Sequence, residues 1–327
     1  MAQATGTTTV FSVGTAGGLR EDLEDKIWDL FAEDTWALSN LDRIQANGVY
    51  HEWQLDTLTA AGSNAALEGN DLTYSTIAAP TRVGNYCQIS HKNFLVSGTL
   101  EAVSKAGRAR EAARQAMKQM RALKNDMEFD IVRNHASMAG DVASARSSAG
   151  MESWISSVNG NVRATAVTTA GTTPGFIGGL VAAPTDATQV AASEGIFKAM
   201  IMDAWQDGGN PRVILTNIST KAVVDGFTGI VTRNIDMSRS SPQQAAIIGA
   251  ANVYVSSAGV HTVVLHRHVR GLTIMAIDPE YWAIAFLRNP FMEELAKTGD
   301  ARKYGMWAEW TLVSRNHNAS AKLAGVL

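Results

Sequence analysis

The sequence is poor in the residues and runs that mark several common classes of protein. Its 327 residues include one cysteine, Cys87, which excludes an intrachain disulfide framework and a cysteine-based zinc site. No run approaches the roughly 18 consecutive apolar residues of a membrane helix. Residues 1–9 lack the basic start and the apolar block of a signal peptide. We therefore expect neither a membrane partner nor a secretory route.

Charge and composition indicate a folded chain without a dedicated nucleic-acid surface. The formal net charge is -3, whereas neutralising a phosphate backbone requires a clear basic excess. Hydrophobic residues make up 46% of the chain and charged residues 18%. The length suffices for about two domains. We expect a core-forming protein that does not recognise a nucleic-acid sequence.

The sequence contains no motif that predicts catalysis. It lacks a Gly-x-Ser-x-Gly elbow and a phosphate-binding loop ending in Gly-Lys-Ser or Gly-Lys-Thr. The best metal candidates are His261, His266 and His268, because the last two would face the same way on a strand. No acidic residue lies in that strand, and Arg267 and Arg270 add positive charge, so a surface strand is the favoured interpretation. We predict no enzyme and no cofactor, and keep a metal-dependent hydrolase using the three histidines as an alternative.

The strongest periodic pattern predicts one long helix over residues 97–135. Its apolar residues recur at steps of three and four and so share one face: Ala106, Ala109, Ala113, Ala116, Met120, Leu123, Met127 and Ile131. No proline interrupts the segment, and Gly107 is its only interior glycine. Such a helix would be about 60 Å long, and its alanine half would let another element approach closely.

Four cations follow one edge of that helix at steps of four, four and three: Arg110, Arg114, Lys118 and Arg121. A solvated face is the ordinary interpretation, because like charges at this spacing repel one another. The alternative is that this basic edge meets an acidic surface. Residues 20–34 predict a short amphipathic helix in which seven acidic residues oppose one internal lysine, Lys26. We expect Asp25 and Asp29 to pair with the basic edge, and these two acids and the four cations are candidate residues of a contact between subunits.

Residues 48–96 predict a long two-stranded ribbon. Apolar and polar residues alternate over 49–56, and a tip of small and polar residues follows at 60–71. A ribbon of two strands is marginal in water by itself, and the chain offers little surface to hold it. We therefore expect the ribbon to lie on a neighbouring subunit. Its candidate contact residues are Trp53, Glu68 and Asp71.

The second half of the chain predicts alternating helices and strands, followed by a sheet. Ser193 and the apolar spacing after it predict a capped helix over 193–205. A buried strand over 212–216 and a second helix over 219–227 follow. Further strands are predicted over 253–255, 262–268, 273–277, 281–287 and 307–314. A helix-like turn is expected at 292–297, and the closing sheet would form the floor of the long helix.

Together these segments predict an α+β fold with the anatomy of a shell-building subunit. A loose arm, an acidic helix and a ribbon without a core come first, and a long helix, an α/β unit and a closing sheet follow. The arm and the ribbon would reach across neighbours while the helix and the sheet form the wall. Heterologous contacts of this kind close into rings and then into a shell.

Four stretches in this order resemble one known family: Arg20-Glu21-Asp22-Leu23 with Asp34-Thr35, Tyr50-His51-Glu52-Trp53-Gln54-Leu55-Asp56, Ser97-Gly98-Thr99 through Gly107, and Leu295-Ala296-Lys297-Thr298-Gly299-Asp300-Ala301 with Glu309-Trp310-Thr311-Leu312. They span almost the whole chain. The chain resembles the major capsid proteins of tailed bacteriophages with the Hong Kong 97-like fold, in the branch related to phage SU-ten.

The resemblance implies five regions of the chain. They are an N-terminal arm at 1–47, an extended β-ribbon loop at 48–96, a peripheral domain with its spine helix at 97–179, an α/β axial domain at 180–270 and the C-terminal part of the peripheral-domain sheet at 271–327. The axial domain of such proteins meets its copies around the symmetry axes of hexamers and pentamers.

The resemblance also implies the function and the partners. Such proteins assemble as hexamers and pentamers into an icosahedral head that encloses double-stranded DNA, so we expect a virion protein assembled in the host cytoplasm. The match begins near Arg20 and leaves no room for a fused scaffold segment. A separate scaffolding protein is therefore expected, with a portal and a decoration protein as further candidates. A cellular nanocompartment shell of the same fold is the alternative.

Overall fold

The computed structural model describes residues 27, 33–59, 61–71, 74, 76–77, 79–107, 109–155, 175–177, 180–184, 189, 191–227 and 252–326. Within them the helices are α1 (Trp36–Asn40), α2 (Gly98–Ala102), α3 (Glu111–Val132), α4 (Met151–Trp154), α5 (Glu194–Gln206) and α6 (Ile218–Asp225). The strands are β1 (Asp42–Gln45), β2 (Tyr50–Leu55), β3 (Thr81–Tyr86), β4 (Gln88–Ser97), β5 (Gly175–Ile177), β6 (Leu180–Ala182), β7 (Val213–Thr216), β8 (Val253–Ser256), β9 (Gly259–Leu265), β10 (Thr273–Ile277), β11 (Trp282–Leu295), β12 (Ala301–Ser314) and β13 (Ala321–Ala324). None of these described helices is long and apolar enough to cross a membrane.

Four strands form one sheet in the order β1–β11–β12–β4. β1 runs parallel to β11, and the other two pairings are antiparallel. The hairpin of β11 and β12 dominates this sheet, since each of its strands has 14 residues. α3 packs across one face, where Met306 and Trp310 are buried in the same core as Leu123 and Met127 of the helix. The sheet therefore forms the predicted floor of the long helix.

The hairpin extends further than the sequence predicts. Residues 292–297 are expected to form a helix-like turn, but β11 continues through Leu295, paired with β12. Pro290 lies where the register shifts between Arg288 and Phe291. A proline lacks the amide that a regular ladder requires, and an irregular stretch of this kind accommodates it. The strand thus passes through a segment whose composition suggests a break.

The predicted long helix is two helices, and only the second is long. Val103 has extended backbone angles (φ -74°, ψ 140°) and ends α2. Gly107 has φ +71°, a left-handed conformation that no helix interior contains. The carboxylate of Glu101 then accepts hydrogen bonds from the amides of Glu111 and Ala112, at 3.0 and 3.3 Å, and caps α3. α3 has 22 residues and is about 33 Å long.

The buried face of α3 is the second half of the predicted apolar stripe. Leu123, Met127 and Ile131 are fully buried in the main core. Ala113 is exposed, and Ala106 and Ala109 precede the helix. The expectation that the alanine half lies close on the sheet is therefore wrong for these three residues, whereas Ala116 packs against the core. Larger side chains displace more apolar surface from water, so the core forms where the stripe changes from alanine to leucine, methionine and isoleucine.

β2 and β3 form the predicted two-stranded ribbon, but its base rests on its own chain. The fully buried Asn85 donates to the carbonyl of Leu312 at 2.8 Å and accepts from the amide of Ala149 at 3.0 Å. β4, which falls inside the predicted ribbon at 48–96, belongs to the four-stranded sheet instead. The prediction that the chain has little surface to hold the ribbon is wrong for this base.

Five strands form a second sheet in the order β13–β10–β7–β9–β8. The hydroxyl of Ser193 accepts from the amide of Ile196 at 3.3 Å, which confirms the predicted cap of α5. β10 is buried along its whole length and pairs with both β7 and β13. The prediction that 271–327 contribute only to the closing sheet is therefore wrong for β10 and β13. A strand that is buried along its whole length suits the middle of a sheet that is covered on both faces.

His135 follows α3 and is a partly buried histidine whose ring nitrogens have no hydrogen-bond partner in the described part of the chain. Burial, with a smaller contribution from Arg133, lowers its pKa from 6.5 to about 4. Between these values the unfolded chain binds the proton and the folded chain does not. The folded state therefore loses stability as the pH falls from about 6.5 towards 4.

We predict that His135→Gln weakens the acid sensitivity of the fold. Urea denaturation from about pH 7 to about pH 4.5 should show a shallower decline in the free energy of unfolding than in the unmodified protein, because one uncharged buried imidazole is removed. His91→Gln, at an exposed position on β4, is the control and should leave the decline unchanged. Equal slopes for His135→Gln and the unmodified protein would contradict the prediction.

Candidate functional site

The predicted basic edge lies only partly on the helix. Lys118 and Arg121 are exposed on α3, and Arg110 is the residue before the helix starts. Arg114 is partly buried, with Nε 4.0 Å from a carboxylate oxygen of Glu111. The three helical cations line one groove beside the β11–β12 hairpin. A contact between this edge and another subunit remains a prediction.

The acidic partners predicted for this edge are only partly in view. Asp25 and Asp29 lie outside the described residues, as does most of the helix predicted over 20–34. Glu33 is described, and its Oε1 lies 3.9 Å from Nε of Arg121. Both side chains are partly solvent-exposed, so this ion pair contributes at most about 1 kcal/mol. The end of the arm thus lies beside the basic edge, while the pairing of Asp25 and Asp29 stays a prediction.

The loop that joins β2 to β3 spans residues 56–80 and is called the ribbon tip. It carries apolar side chains that the described part of the chain leaves uncovered. Between 83% and 99% of the surface is exposed at Leu58, Leu67, Tyr74 and Ile77. Glu68 and Asp71 are exposed among them, and Gly69, with φ +78°, makes the turn between these two acids. Large apolar side chains left exposed along one loop are typical of a contact surface. The position of Glu68 and Asp71 therefore suits the predicted subunit contact, which remains a prediction.

Trp53, the third predicted contact of the ribbon, packs within its own chain. Its indole Nε1 donates to the carbonyl of Ser314 at 2.8 Å. Its ring centroid lies 5.5 Å from that of the buried Trp154. These two contacts fasten the ribbon to the main core. A role for Trp53 at a subunit contact stays a prediction.

A second apolar surface lies on the face of the four-stranded sheet that α3 leaves open. Leu95, Phe291 and Leu295 are exposed there, and the ring centroid of Trp307 lies 5.7 Å from that of Phe291. The indole of Trp307 covers Gly305, where an added Cβ would come within 2.1 Å of the ring. Glycine at this position lets the indole lie flat on the sheet. The result is an aromatic and aliphatic cluster on a face that also carries Glu293 and Lys303.

A fully buried carboxylate, Glu128 of α3, joins three parts of the chain. Its oxygens accept hydrogen bonds from the backbone amides of Ala37 and Leu38, at 2.6 and 2.9 Å. Oε1 also lies 2.8 Å from Nε2 of the buried His266. Nδ1 of His266 accepts from the amide of His268 at 3.2 Å. The imidazole proton therefore resides on Nε2 and is donated to the carboxylate.

A second set of hydrogen bonds surrounds this carboxylate. Oδ1 of Asn125 accepts from the amide of Asp34 at 3.2 Å and from Nε2 of His268 at 2.9 Å. The Asp34 carboxylate accepts from the amide of Arg267 at 3.1 Å. Burial, then the neighbouring His266, lowers the pKa of His268. The residues that share these hydrogen bonds are 91 to 233 positions apart in the sequence. The only local sign of the site in the sequence is an acidic residue on the buried side of α3.

The three candidate histidines do not come together. His261 and His266 are buried, so the interpretation as a surface strand is wrong for both. His266 and His268 have ring centroids 5.6 Å apart, but His261 bonds to Ser256 and to the carbonyl of Pro211. Across the described ranges, no group of three His, Cys, Asp or Glu side chains could hold a metal ion. Their arrangement gives the hydrolase alternative no support.

We predict that Glu128→Ala lowers the free energy of unfolding by about 3 kcal/mol or more, because it leaves a buried imidazole and two amides without their acceptor. Asp126→Ala is the control: Asp126 is exposed on the same helix and pairs with Lys92 at 2.5 Å. Its loss should cost at most about 1 kcal/mol. Urea denaturation of both variants measures the difference, and similar small losses would disprove a central role for Glu128.

Several solved structures are similar to this chain. They include the phage G structure titled "gp27 major capsid proteins and gp26 decoration proteins", at 12% identity over 99% of both chains with a TM-score of 0.54. The capsid of the native GTA particle matches at 11% identity over 98% of this chain and 99% of that chain, with a TM-score of 0.63. A Mycobacterium phage Bobi chain matches at 9% identity over 97% and 98%, with a TM-score of 0.60. At these identities the likeness shows the fold.

The family comparison covers almost the whole sequence. No curated protein matches the chain significantly. The family model described as "SU10 major capsid protein" matches residues 3–327. The resemblance inferred from four stretches of sequence is therefore confirmed, as is a mixed helix-and-sheet fold like that of phage capsids. The chain belongs to the SU10 major capsid protein family.

Proposed function

We propose that this major capsid protein builds the icosahedral head shell of a tailed phage by self-assembly, without catalysis. The observation that carries the proposal is the ribbon tip, where Leu58, Leu67, Tyr74 and Ile77 are almost fully exposed. Apolar surface left in water costs about 25 cal/mol per Å². A neighbouring subunit that covers these side chains recovers that free energy. Membership of a major capsid protein family supports the proposal.

The open face of the four-stranded sheet is the surface on which we expect a neighbour's ribbon tip to pack. Its exposed residues Leu95, Phe291 and Leu295 match the apolar character of the tip. The tip and the sheet are different surfaces, so the contact is heterologous, which is the type that generates rings when the rotation between subunits closes. In hexamers and pentamers formed in this way, symmetry would repeat one weak contact, and the repeated contacts together would stabilise the ring.

The proposal includes the partners of such a shell. They are a separate scaffolding protein, a portal, a decoration protein and double-stranded DNA. A net charge of -3 supports enclosure of DNA without sequence-specific contacts. The similar phage G structure is titled with decoration proteins, which supports that partner here. Assembly would take place in the host cytoplasm, and the product is the virion. The nanocompartment and hydrolase alternatives have no supporting observation.

We retain the five regions that the resemblance implies, with two changes. The arm at 1–47, the peripheral domain from 97 to 179 and the axial domain at 180–270 are otherwise kept, but β4 moves from the loop at 48–96 to the peripheral domain, because it pairs with β12 in the four-stranded sheet. β10 and β13 pair within the five-stranded sheet, so they are assigned to the axial domain rather than to the peripheral sheet. Their strand pairing supports this assignment.

Electron microscopy of the full chain tests the proposed function. The protein is expressed alone and together with a candidate scaffolding protein from the same genome. We expect shells, rings or tubes in at least one of the two preparations. A well-behaved monomer in both, at high protein concentration, would contradict self-assembly.

We predict that Leu67→Ser combined with Ile77→Ser abolishes or strongly reduces shell formation while the thermal midpoint of the monomer is unchanged. Both residues are exposed in the monomer, so their loss removes no core packing. Val142→Ser is the matched control, because Val142 is an equally exposed apolar residue outside the ribbon. Particle counts by electron microscopy give the result. Normal shells from the double variant would show that the tip is not the contact.

A further inference from the structure

A groove of about 470 Å³ lies between α3 and the β11–β12 hairpin. Four methionines line it: Met117, Met120, Met292 and Met306. Met306 is buried, but 68% of Met117 and 48% of Met292 are exposed. Methionine side chains are flexible and polarizable, so they adapt to an apolar partner of irregular shape. This methionine groove is therefore suited to an apolar occupant.

The rim of the methionine groove is positively charged. Arg114, Lys118 and Arg121 line it along α3, within about 10 Å of helix length. A carboxylate oxygen of Glu111 lies 4.0 Å from Arg114, and one of Glu33 lies 3.9 Å from Arg121. The aliphatic stems of the cations extend the apolar floor. An occupant that fits this surface has apolar side chains on one side and further carboxylates on the other.

The arm of the same chain reaches one end of the groove. Glu33 lies beside Arg121 on the rim. The next residue, Asp34, is held through its amide by Asn125 and through its carboxylate by the amide of Arg267. The direction of the chain is thereby set at this point. The residues that precede Glu33 begin at the rim of the groove.

Residues 21–32 have the composition that the groove requires. They contain five acidic residues and one lysine. Their apolar residues recur at helical spacing and include Leu23, Ile27, Leu30 and Phe31. Twelve helical residues span about 18 Å, enough to pass from Arg121 beyond Arg114. Ile27 is the one described residue of this segment, and 37% of it is exposed.

We propose that residues 21–32 bind in the methionine groove of their own chain. Their apolar side contacts the methionines, and their carboxylates pair with the cations of the rim. The segment then joins α3 to the hairpin from the side opposite the open face of the sheet. The proposal goes beyond the shell function and does not depend on it, because it concerns contacts within one chain.

Disulfide trapping in the full chain tests this docking. Ile27→Cys is combined with Met117→Cys, and the matched control combines Ile27→Cys with Met202→Cys, a 49% exposed methionine on α5. Native Cys87 does not compete, because burial raises its pKa to about 11. After mild oxidation, peptide mass spectrometry of mixed light and heavy-isotope protein separates links within a chain from links between chains.

We expect about tenfold more intrachain disulfide from the Met117 pair than from the Met202 pair, because docking raises the local concentration of one thiol near the other. Equal yields would overturn the proposal. Links formed mainly between chains would also overturn it, since they would assign the groove to a second copy. Shell formation is scored separately by electron microscopy, so a failure of docking is distinguishable from a failure of the proposed function.

Charge reversal on the rim tests the electrostatic part. Lys118→Glu with Arg121→Glu, both at exposed positions, should lower the yield of the Met117 disulfide several-fold, and adding Asp25→Lys with Asp29→Lys should restore part of it. Raising the salt concentration should weaken the docking in the same direction. Arg212→Glu, at an exposed position near β7, is the control and should have no effect. An unchanged yield on rim reversal, or no restoration, would disprove pairing with the carboxylates.

Discussion

The fold depends on one buried charge. The carboxylate of Glu128 has no contact with water and is satisfied by the amides of Ala37 and Leu38 and by His266. A buried ion that loses one partner is strongly destabilising, so the elements that supply these partners cannot separate without exposing or stranding the charge. α1, α3 and the segment after β9 are therefore held together. The same hydrogen bonds determine where the arm leaves the body of the subunit.

Apolar side chains lie both in the core and on the exposed ribbon tip, which we propose as a contact between subunits. Trp154 and Trp310 are fully buried and serve the core, whereas Leu67 and Ile77 serve no described part of the core. The ribbon that carries the last two is fastened at its base by Asn85, among others. A contact surface that is held in place before it meets its partner loses less conformational entropy on binding. The anchored base of the ribbon would therefore favour binding at its exposed tip.

The sequence predicts what depends on local periodicity and misses what depends on distant partners. The helix that Ser193 caps and the buried half of α3 follow from spacing alone. The break at Gly107 is not predicted, because the spacing of apolar residues does not indicate whether a glycine adopts a left-handed conformation. β11 continues past Pro290 because the irregular register there accommodates the proline. From composition alone, a proline at this position predicts the end of the strand. Glu128 acquires its role from a histidine 138 residues away.

The main core is shared between the two large sheets, and this has a mechanical consequence. Leu123 of α3, Trp310 of the four-stranded sheet, and Leu215 and Met275 of the five-stranded sheet lie in one buried cluster. Closely packed interiors resist deformation, so the shared core holds the described parts of the two sheets together as one block. The curvature of a shell made from such blocks would be set by the angle at which tips seat on their neighbours, rather than by bending of the wall itself.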